Sequence, residues 1–420
     1  MEFKDWLKVS EGDIADIVAG YDLSNVRIGA IGSHSALDVS DGVQQHNKYQ
    51  RQQAGLWKEL LHKLNLKKRD DFKSIVLCKK GREKTYDVYN KVRERDGEQI
   101  GCVDETIIVN DWADALKPEY TEVLRKKNTL FVPSRSTVVY WGYPAIGNYF
   151  VPFIGERGLL QIEERSGNFC MEKNQDYLVE KAGIPHSKKF KKIEDADIEV
   201  LVKVTKGIGN RHFERRFQRI NPLDGDPKEI YEQKCADYIN NTLREYEKEI
   251  KRPLRVDDGE EAQLRQQLDA HFRGAKFEEY IPGDSGVNLN MFYSPMKEEL
   301  ELLGIDCRGQ FPNGEEMVHF PASLRESLLG KAYEMGEKFL DITKREFGRK
   351  LKCSFALQCL GDELENLKVV DVSGRIPGSP DSPYSPNSRY LFRRPVSFGE
   401  RTAMEVGYAL KQDRLLEILS

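Results

Sequence analysis

The sequence predicts an α/β protein in two parts, a doubly wound parallel sheet followed by a second α/β unit that closes over a ligand. Three observations carry this. Short β-branched runs alternate with helix-like stretches through the first third of the chain, the pattern of a parallel sheet covered on both faces. Further on, the run Leu201-Val202-Lys203-Val204 opens into a glycine-containing loop, Lys206 to Arg211. Late in the chain, Phe355 to Cys359 and Leu367 to Arg375 flank a polar turn, as an antiparallel pair does.

Bulk properties narrow the class. A chain of 420 residues holds two or three domains. Its 65 Lys and Arg nearly balance 69 Asp and Glu, which argues against a general nucleic-acid or anionic-membrane binder. No apolar run approaches membrane-spanning length, and the opening MEFKDWLKVSEGD lacks a signal-peptide pattern. Seven scattered cysteines without a CxxC pair read as buried thiols of a reducing compartment. The expected location is the cytoplasm, and the expected partners are small molecules, neither nucleic acid nor membrane.

In order, a helical lead-in precedes Val26 to Ile31, a short strand. Gly32 to Ser35 then turn into a helix starting near Ser35. A strand, a Gly/Ser turn and a helix start make an anion site, because unpaired N–H groups and the helix dipole point at the ligand. Ser33, His34 and Ser35 add donors; the plainer alternative is a serine that caps the helix. Lys73 to Cys78 is a second strand, running into KKGREKTYDVYNKVRE, an expected amphipathic helix with a basic start. Lys80 and Arg82 are candidate phosphate contacts, or simply a solvated face. Glu105 to Asn110 and Thr129 to Pro133 are two more strands. In open parallel sheets ligands sit beyond the carboxyl ends of the strands, and His34, Arg82 and Ser136 all follow a strand end.

A boundary is expected near Gly142 to Gly147, giving a first domain over residues 1–142 and a second over 143–420. In the second, VPFIGERGLLQIEER reads as strand, turn and short helix, and Asn174 to Gly183 as a helix. Lys203 lies in a strand just before a flexible glycine loop, Gly207 and Gly209. Glycine admits close backbone approach to phosphates and the lysine supplies a point charge; a plain hairpin is the alternative. Residues 218–274 read as a charged helical insertion. Phe277 to Ile281 and Val287 to Tyr293 are strands about a tight turn, and Glu326 to Gly348 holds an amphipathic helix. Gln358 and Asp371 fall where the two late strands can face each other. Asp371, Ser373 and Arg375 alternate, so a carboxylate, a hydroxyl and a guanidinium share a face. That set suits Mg2+ and phosphate, with a surface salt-bridge row as the alternative.

The stretches IGSHSAL, KGREKTY, EEYIPG, FYSP with ELELLGID, RESLL with YEMGEKF, and SPYS occur in this order from residue 26 almost to the end. The sequence thereby resembles the archaeal ATP-grasp ligases of purine synthesis that formylate aminoimidazole carboxamide ribonucleotide with formate and ATP. The resemblance implies a pre-ATP-grasp domain followed by an ATP-grasp domain, with a lid over about residues 170–282. It implies ATP and Mg2+ as cofactors and a homo-oligomer as the assembly. It gives Lys203, Gly207, Gly209, Glu279, Tyr280 and Asp284 to ATP, and Gln358 and Asp371 to the metal. Arg375 and Lys203 become the phosphoryl-transfer residues. The resemblance gives His34 and Ser136 to the acceptor nucleotide and puts His319 in a substrate-contacting segment; Ser33, Ser35 and Arg82 join them from the strand-end reading above.

The sequence departs from the family pattern at several of these positions. The glycine loop is poorer in glycine, Gln358 and Asp371 stand where the family has two metal-binding glutamates, and Ser373 replaces a usual asparagine. His319 occupies an asparagine position, the stretch after GID is shortened and residues 218–274 are longer. A neutral amide is a poorer partner for a hard dication than a carboxylate. A paralogue joining another carboxylate and amine, or a non-catalytic nucleotide binder, are the alternatives.

Overall fold

The computed structural model describes residues 7–33, 35–56, 71–90, 93–95, 98–164, 170–203, 218–255, 259–273, 275–282, 286–310, 316–361, 366–378 and 382–420. Ser10 and Asp13 cap the first helix reciprocally, starting α1 (Glu11–Ala19). The alternating pattern that follows gives β1 (Arg27–Ile31), α2 (Ala36–Leu56), β2 (Lys73–Lys79) and α3 (Glu83–Val88). A small ribbon, β3 (Arg93–Arg95) and β4 (Glu98–Ile100), leads to β5 (Glu105–Val109), α4 (Pro118–Lys126), β6 (Thr129–Phe131) and α5 (Arg135–Trp141). The order β5-β2-β1-β6, parallel throughout, makes the expected open sheet. Ile28, Ala30, Val76 and Leu130 enter one apolar cluster and Ile31, Ile75, Leu77 and Phe131 another. Alternate residues therefore bury opposite faces, as a parallel sheet requires.

Two early expectations are corrected. The long helix expected after Gly81 is only α3, and residues 93–95 pair with 98–100 instead. Val88 and Tyr89 are exposed, so this stretch has no apolar stripe to bury, and packing is what sustains helices. The strand expected at VPFIG is a pair of isolated bridges, Phe153 to Phe131 and Ile154 to Leu419. The chain's own end competes for this segment: Phe153 and Ser420 exchange backbone bonds of 2.9 Å.

A 3-10 turn (Arg157–Glu163) and α6 (Gln175–Lys181, capped by Asn174) lead to a second, antiparallel sheet. Its strands are β7 (Lys189–Phe190), β8 (Val200–Lys203) and β9 (Gln218–Ile220), then, beyond α7 (Pro227–Ile250) and α8 (Glu260–Arg273), β10 (Lys276–Glu279). The order is β7-β10-β8-β9. The charged insertion is therefore a helical hairpin starting at Pro227, and Gln218–Ile220 belongs to the sheet. Ile239, Leu243, Leu254 and Leu268 give the hairpin a core of its own.

The third sheet holds β11 (Gly286–Ser294), β12 (Glu299–Gln310), β13 (Glu316–Ala322), β14 (Cys353–Gly361) and β15 (Leu367–Ser373) in the antiparallel order β13-β12-β11-β14-β15. Leu289, Met291, Ile305, Phe355 and Leu357 pack under α9 (Glu326–Phe347). Past β15, α10 (Pro386–Phe392) leads to α11 (Phe398–Lys411), which lies against α2. A Cβ on Gly42 would stand 2.0 Å from the backbone nitrogen of Glu400, so glycine is what lets these two helices touch. The buried Arg401 bonds Glu301 of β12 and Glu405 of its own helix.

Candidate functional site

The carboxyl ends of β1 and β6 form one wall. Ser33 lies in the turn after β1, its N–H donating to Ile31 O at 2.7 Å. Ser35 is buried and its Oγ donates to Pro377 O at 3.2 Å. Ser136, 1% exposed, sits in the first turn of α5, and among the described residues its Oγ has no partner. Arg82 is exposed at the end of β2, its guanidinium 5.8 Å from the Trp112 ring centroid. His34 lies outside the described residues.

The chain after β15 passes directly along this wall. Ile376 bridges Ser134 and its N–H donates to Pro133 O at 3.3 Å. The late strands and the serines of the first sheet are thus brought to one place, although more than two hundred residues separate them.

Gln358 and Asp371 stand directly opposite each other on β14 and β15. Ser373 is on the same face two residues on. Arg375 does not continue that face, because β15 ends at Ser373. Gly374 N–H donates to Glu163 Oε1 at 2.7 Å and Arg375 Nη2 lies 3.2 Å from Glu163 Oε2, so the chain turns there to meet the 3-10 turn. Arg375 is 7% exposed, and its Nε has no partner among the described residues. Burial pushes the Glu163 carboxyl above its ordinary range, while Arg375 and the Gly374 N–H pull it back.

Among the described residues no three Asp, Glu, His or Cys side chains are placed to hold a metal ion. One carboxylate opposite one amide oxygen does not make a protein cage. It does fit Mg2+ in its usual mode, with most ligands coming from phosphates and water.

The second sheet supplies cations. Glu278, 1% exposed, accepts from Lys203 Nζ at 2.6 Å and pairs with Lys189 Nζ at 2.8 Å. Lys276, opposite Lys203 in the ladder, reaches Asp176 at 2.9 Å. Three ammonium groups thus share one sheet face with a single buried carboxylate. Glu279 bonds Lys368 of β15 at 2.8 Å and the Lys188 N–H at 3.0 Å, so it ties the second sheet to the third. Tyr280 N–H is taken by Glu199 O at 2.8 Å, and Arg219 lies 3.8 Å over its ring. A ligand at this hinge would find carbonyl oxygens rather than that N–H. Gly207, Gly209 and Asp284 lie outside the described residues. His319 is placed by its backbone on the edge strand β13, opposite Arg308; its side chain is not described.

Sequence reasoning passed over Glu163, Glu278, Lys189 and Lys276. Lys189 and Lys276 were legible as lysines inside short β-like runs. Nothing local marks Glu163, since Arg375 lies over two hundred residues away in sequence.

The family described as a protein of unknown function (DUF1246) matches residues 61–190, and a domain of unknown function (DUF1297) matches 264–322 and 310–420. The chain is similar to the 5-formaminoimidazole-4-carboxamide-1-(beta)-D-ribofuranosyl 5'-monophosphate synthetase of Methanosphaera stadtmanae, 26% identical over 98% of this chain and 99% of that protein. The synthetase of Methanopyrus kandleri is 28% identical over 95% of this chain and 96% of its own. Among solved structures, an IMP biosynthesis protein from Thermococcus kodakaraensis aligns with TM-score 0.59 at 20% identity, over 94% of this chain and 100% of that one. The biotin carboxylase of Campylobacter jejuni aligns with TM-score 0.54 at 10% identity, over 95% of this chain and 73% of that one. These likenesses show the fold, a parallel-sheet domain followed by an ATP-grasp unit.

Proposed function

Given that the chain belongs to the family of the archaeal 5-formaminoimidazole-4-carboxamide ribonucleotide synthetases, we propose that it is a ligase formylating 5-aminoimidazole-4-carboxamide ribonucleotide with formate and ATP. The observation that carries the reading is the seam at Ile376 and Pro377. It joins the chain just beyond Asp371 and Arg375 to Ser134 and Ser35 at the strand ends of the first sheet.

An aromatic amine is a weak nucleophile and formate a poor acyl donor. Transfer of the γ-phosphoryl group to formate makes the mixed anhydride formyl phosphate and releases ADP. The amine nitrogen then attacks the formyl carbon, phosphate leaves and the nitrogen loses a proton. Phosphoryl transfer asks for alignment and charge neutralisation. Lys203, Lys189 and Lys276 would neutralise phosphate oxygens from the lid, and Arg375 from the main sheet. Asp371 and the Gln358 oxygen would hold Mg2+, which shields the phosphates. Glu279 and the backbone at Tyr280 would hold the adenosine, with Asp284 near the ribose. The Gly207–Gly209 loop would exclude water from the acyl phosphate. Ser33, His34, Ser35 and Ser136 would seat the acceptor nucleotide, with Arg82 and His319 at its margin.

In this reading residues 1–142 are the acceptor domain and 143–420 the ATP-grasp domain, with α7 and α8 carried on the lid. No described helix is long and apolar enough to cross a membrane, which supports a cytoplasmic enzyme. Exposed Phe320 on edge strand β13, with Tyr384 and Tyr390, supports a homo-oligomer, because bare strand edges and apolar patches favour association.

The test is ADP release measured with formate and the aminoimidazole carboxamide nucleotide supplied singly and together. The reading expects sustained release over many turnovers only when both are present. Because Asp371 faces an amide in place of a second carboxylate, a nucleotide binder without turnover is the second reading, and nucleotide binding with no ADP release would establish it. Turnover with a different carboxylate or amine alone would move the assignment to a paralogous ligase.

A further inference from the structure

Four adjacent strands carry a polar row across the sheet: Asp306 of β12, Asn288 of β11, Gln358 of β14 and Asp371 of β15, each opposite the next. Exposure rises along it. Asp306 and Asn288 are 0% and 1% exposed, whereas Gln358 and Asp371 are partly open to solvent. The Asp306 end is closed to solvent, so any influence it has on a ligand passes through its neighbours.

Both oxygens of Asp306 are held by amides. Asn288 Nδ2 donates to Oδ2 at 2.6 Å, and Asn290 Nδ2 donates to Oδ1 at 2.5 Å. With both NH2 groups given to Asp306, each asparagine turns its oxygen away, which settles a choice that an amide otherwise leaves open. Packing alone does not account for the carboxylate, because an apolar residue of similar volume in a buried position is often as stable or more so.

Asn288, so fixed, stands opposite Gln358 in the ladder, and the oxygen it turns away from Asp306 is the acceptor it has left for that neighbour. A Gln358 NH2 that donates there leaves the Gln358 oxygen for the Asp371 side. The opposite orientation would aim an NH2 at a dication, which binds oxygen. We propose that Asp306 is a positioning residue of the phosphoryl-transfer edge, acting through Asn288 to hold the Gln358 oxygen toward Asp371. The proposal rests on the assignment of Gln358 and Asp371 to a Mg2+–phosphate edge.

The test is a binding measurement on the full chain, free of turnover. Mn2+ is titrated into protein with saturating ATP and the bound ion is read by electron paramagnetic resonance. Metal-free ATP affinity is measured alongside. Asp306→Asn is expected to weaken Mn2+ about tenfold, as loss of a group behind a metal ligand does, with metal-free ATP affinity unchanged. Asn288→Leu, which breaks the relay and leaves Asp306 bonded to Asn290, is expected to do the same and carries the test if the first variant does not fold. The exchange Asn288→Asp with Asp306→Asn restores an acceptor beside Gln358 and is expected to recover the affinity. Wild-type Mn2+ affinity in both single variants, whatever happens to their stability, overturns the positioning role alone. A wild-type chain whose ATP complex holds no Mn2+ overturns the metal edge itself, and this proposal with it.

Discussion

The hydroxyl of Ser35 donates to the carbonyl oxygen of Pro377 at 3.2 Å. That bond fastens the start of α2, just beyond β1, to the chain leaving the strand that carries Asp371. In the proposed site it would carry a shift of the first domain to the Asp371–Gln358 edge. Loss of alignment, rather than loss of a single contact, is the failure expected when this seam is loosened.

Ser136 offers a clean separation of the two ligands. Its Oγ is buried without a partner among the described residues, so removing it loses no existing hydrogen bond. Ser136→Ala is expected to keep the wild-type melting temperature. It should weaken the acceptor nucleotide about tenfold, the scale of a hydrogen bond to a charged group, and leave ATP affinity unchanged. Calorimetry with each ligand checks this, and an equal loss for both would remove Ser136 from the acceptor site.

Lys203 is tied more tightly than a strand lysine before a loop would suggest. It bonds Glu278, whose carboxylate is 1% exposed. Lys203→Ala should therefore cost ATP affinity and also destabilise the chain by roughly 1–3 kcal/mol, because a buried acceptor loses a charged donor; the remaining pair with Lys189 limits the damage. Glu278→Gln in the same chain should recover part of the stability and none of the affinity. Thermal melts and ATP titrations of the wild type and the two variants decide it; unchanged ATP binding in a folded Lys203→Ala would clear Lys203 of any phosphate contact.

How much of this was legible in the sequence differs by element. β1, β2, β5 and β6 announce themselves by β-branched runs, and the facing of Gln358 and Asp371 follows from two strands and a short polar turn. The alternation also suggested that Arg375 shares their face. It does not, because Glu163 claims the Gly374 N–H and the guanidinium, and a contact over so long a separation leaves no local trace. β12 and β13 escaped notice because Glu299, Glu301 and Asp306 interrupt the apolar pattern; Glu301 and Asp306 are buried, satisfied by Arg401 and by two asparagines. Buried charge with a distant partner is what pattern reading handles worst.

The Gln358–Asp371 edge makes a metal-dependent prediction. Asp371→Asn should nearly abolish ADP release while leaving ATP binding through the hinge largely intact. Gln358→Glu should lower the Mg2+ concentration needed for half-maximal turnover, because a second negative oxygen meets the dication. Without metal the same change should lower the melting temperature slightly, through repulsion with Asp371 directly opposite. Full Mg2+-dependent turnover in Asp371→Asn would instead favour the salt-bridge reading of this strand.

Helix α2 carries two titratable groups, the half-buried Asp38 and the buried His46, whose effects on stability oppose each other. Burial pushes the Asp38 carboxyl up to about 7, against the bonds it accepts from Ser397 and the Gly399 N–H. Burial holds His46 down at about 4, with Lys411 and Arg394 adding to the depression. Between about pH 4 and 7 the folded chain keeps a proton on Asp38 that the unfolded chain releases, so this group's contribution falls as pH rises and is gone above about 7. Over about pH 4 to 6.5 the unfolded chain protonates His46 and the folded chain does not, so that contribution grows as pH rises. The two slopes partly cancel in the wild type. Asp38→Asn removes the falling one, keeps the side chain's size and can still accept the Gly399 N–H. Its stability relative to wild type should therefore improve steadily from pH 5 to 7, by an amount on the order of 1 kcal/mol per unit. His46→Gln should show the reverse, losing ground relative to wild type across the same interval. Urea unfolding of the three proteins at pH 5, 6 and 7 reads both slopes. Parallel pH profiles for wild type and Asp38→Asn would mean that Asp38 is ionised in the folded chain throughout, held so by the amino-terminal N–H groups of α11.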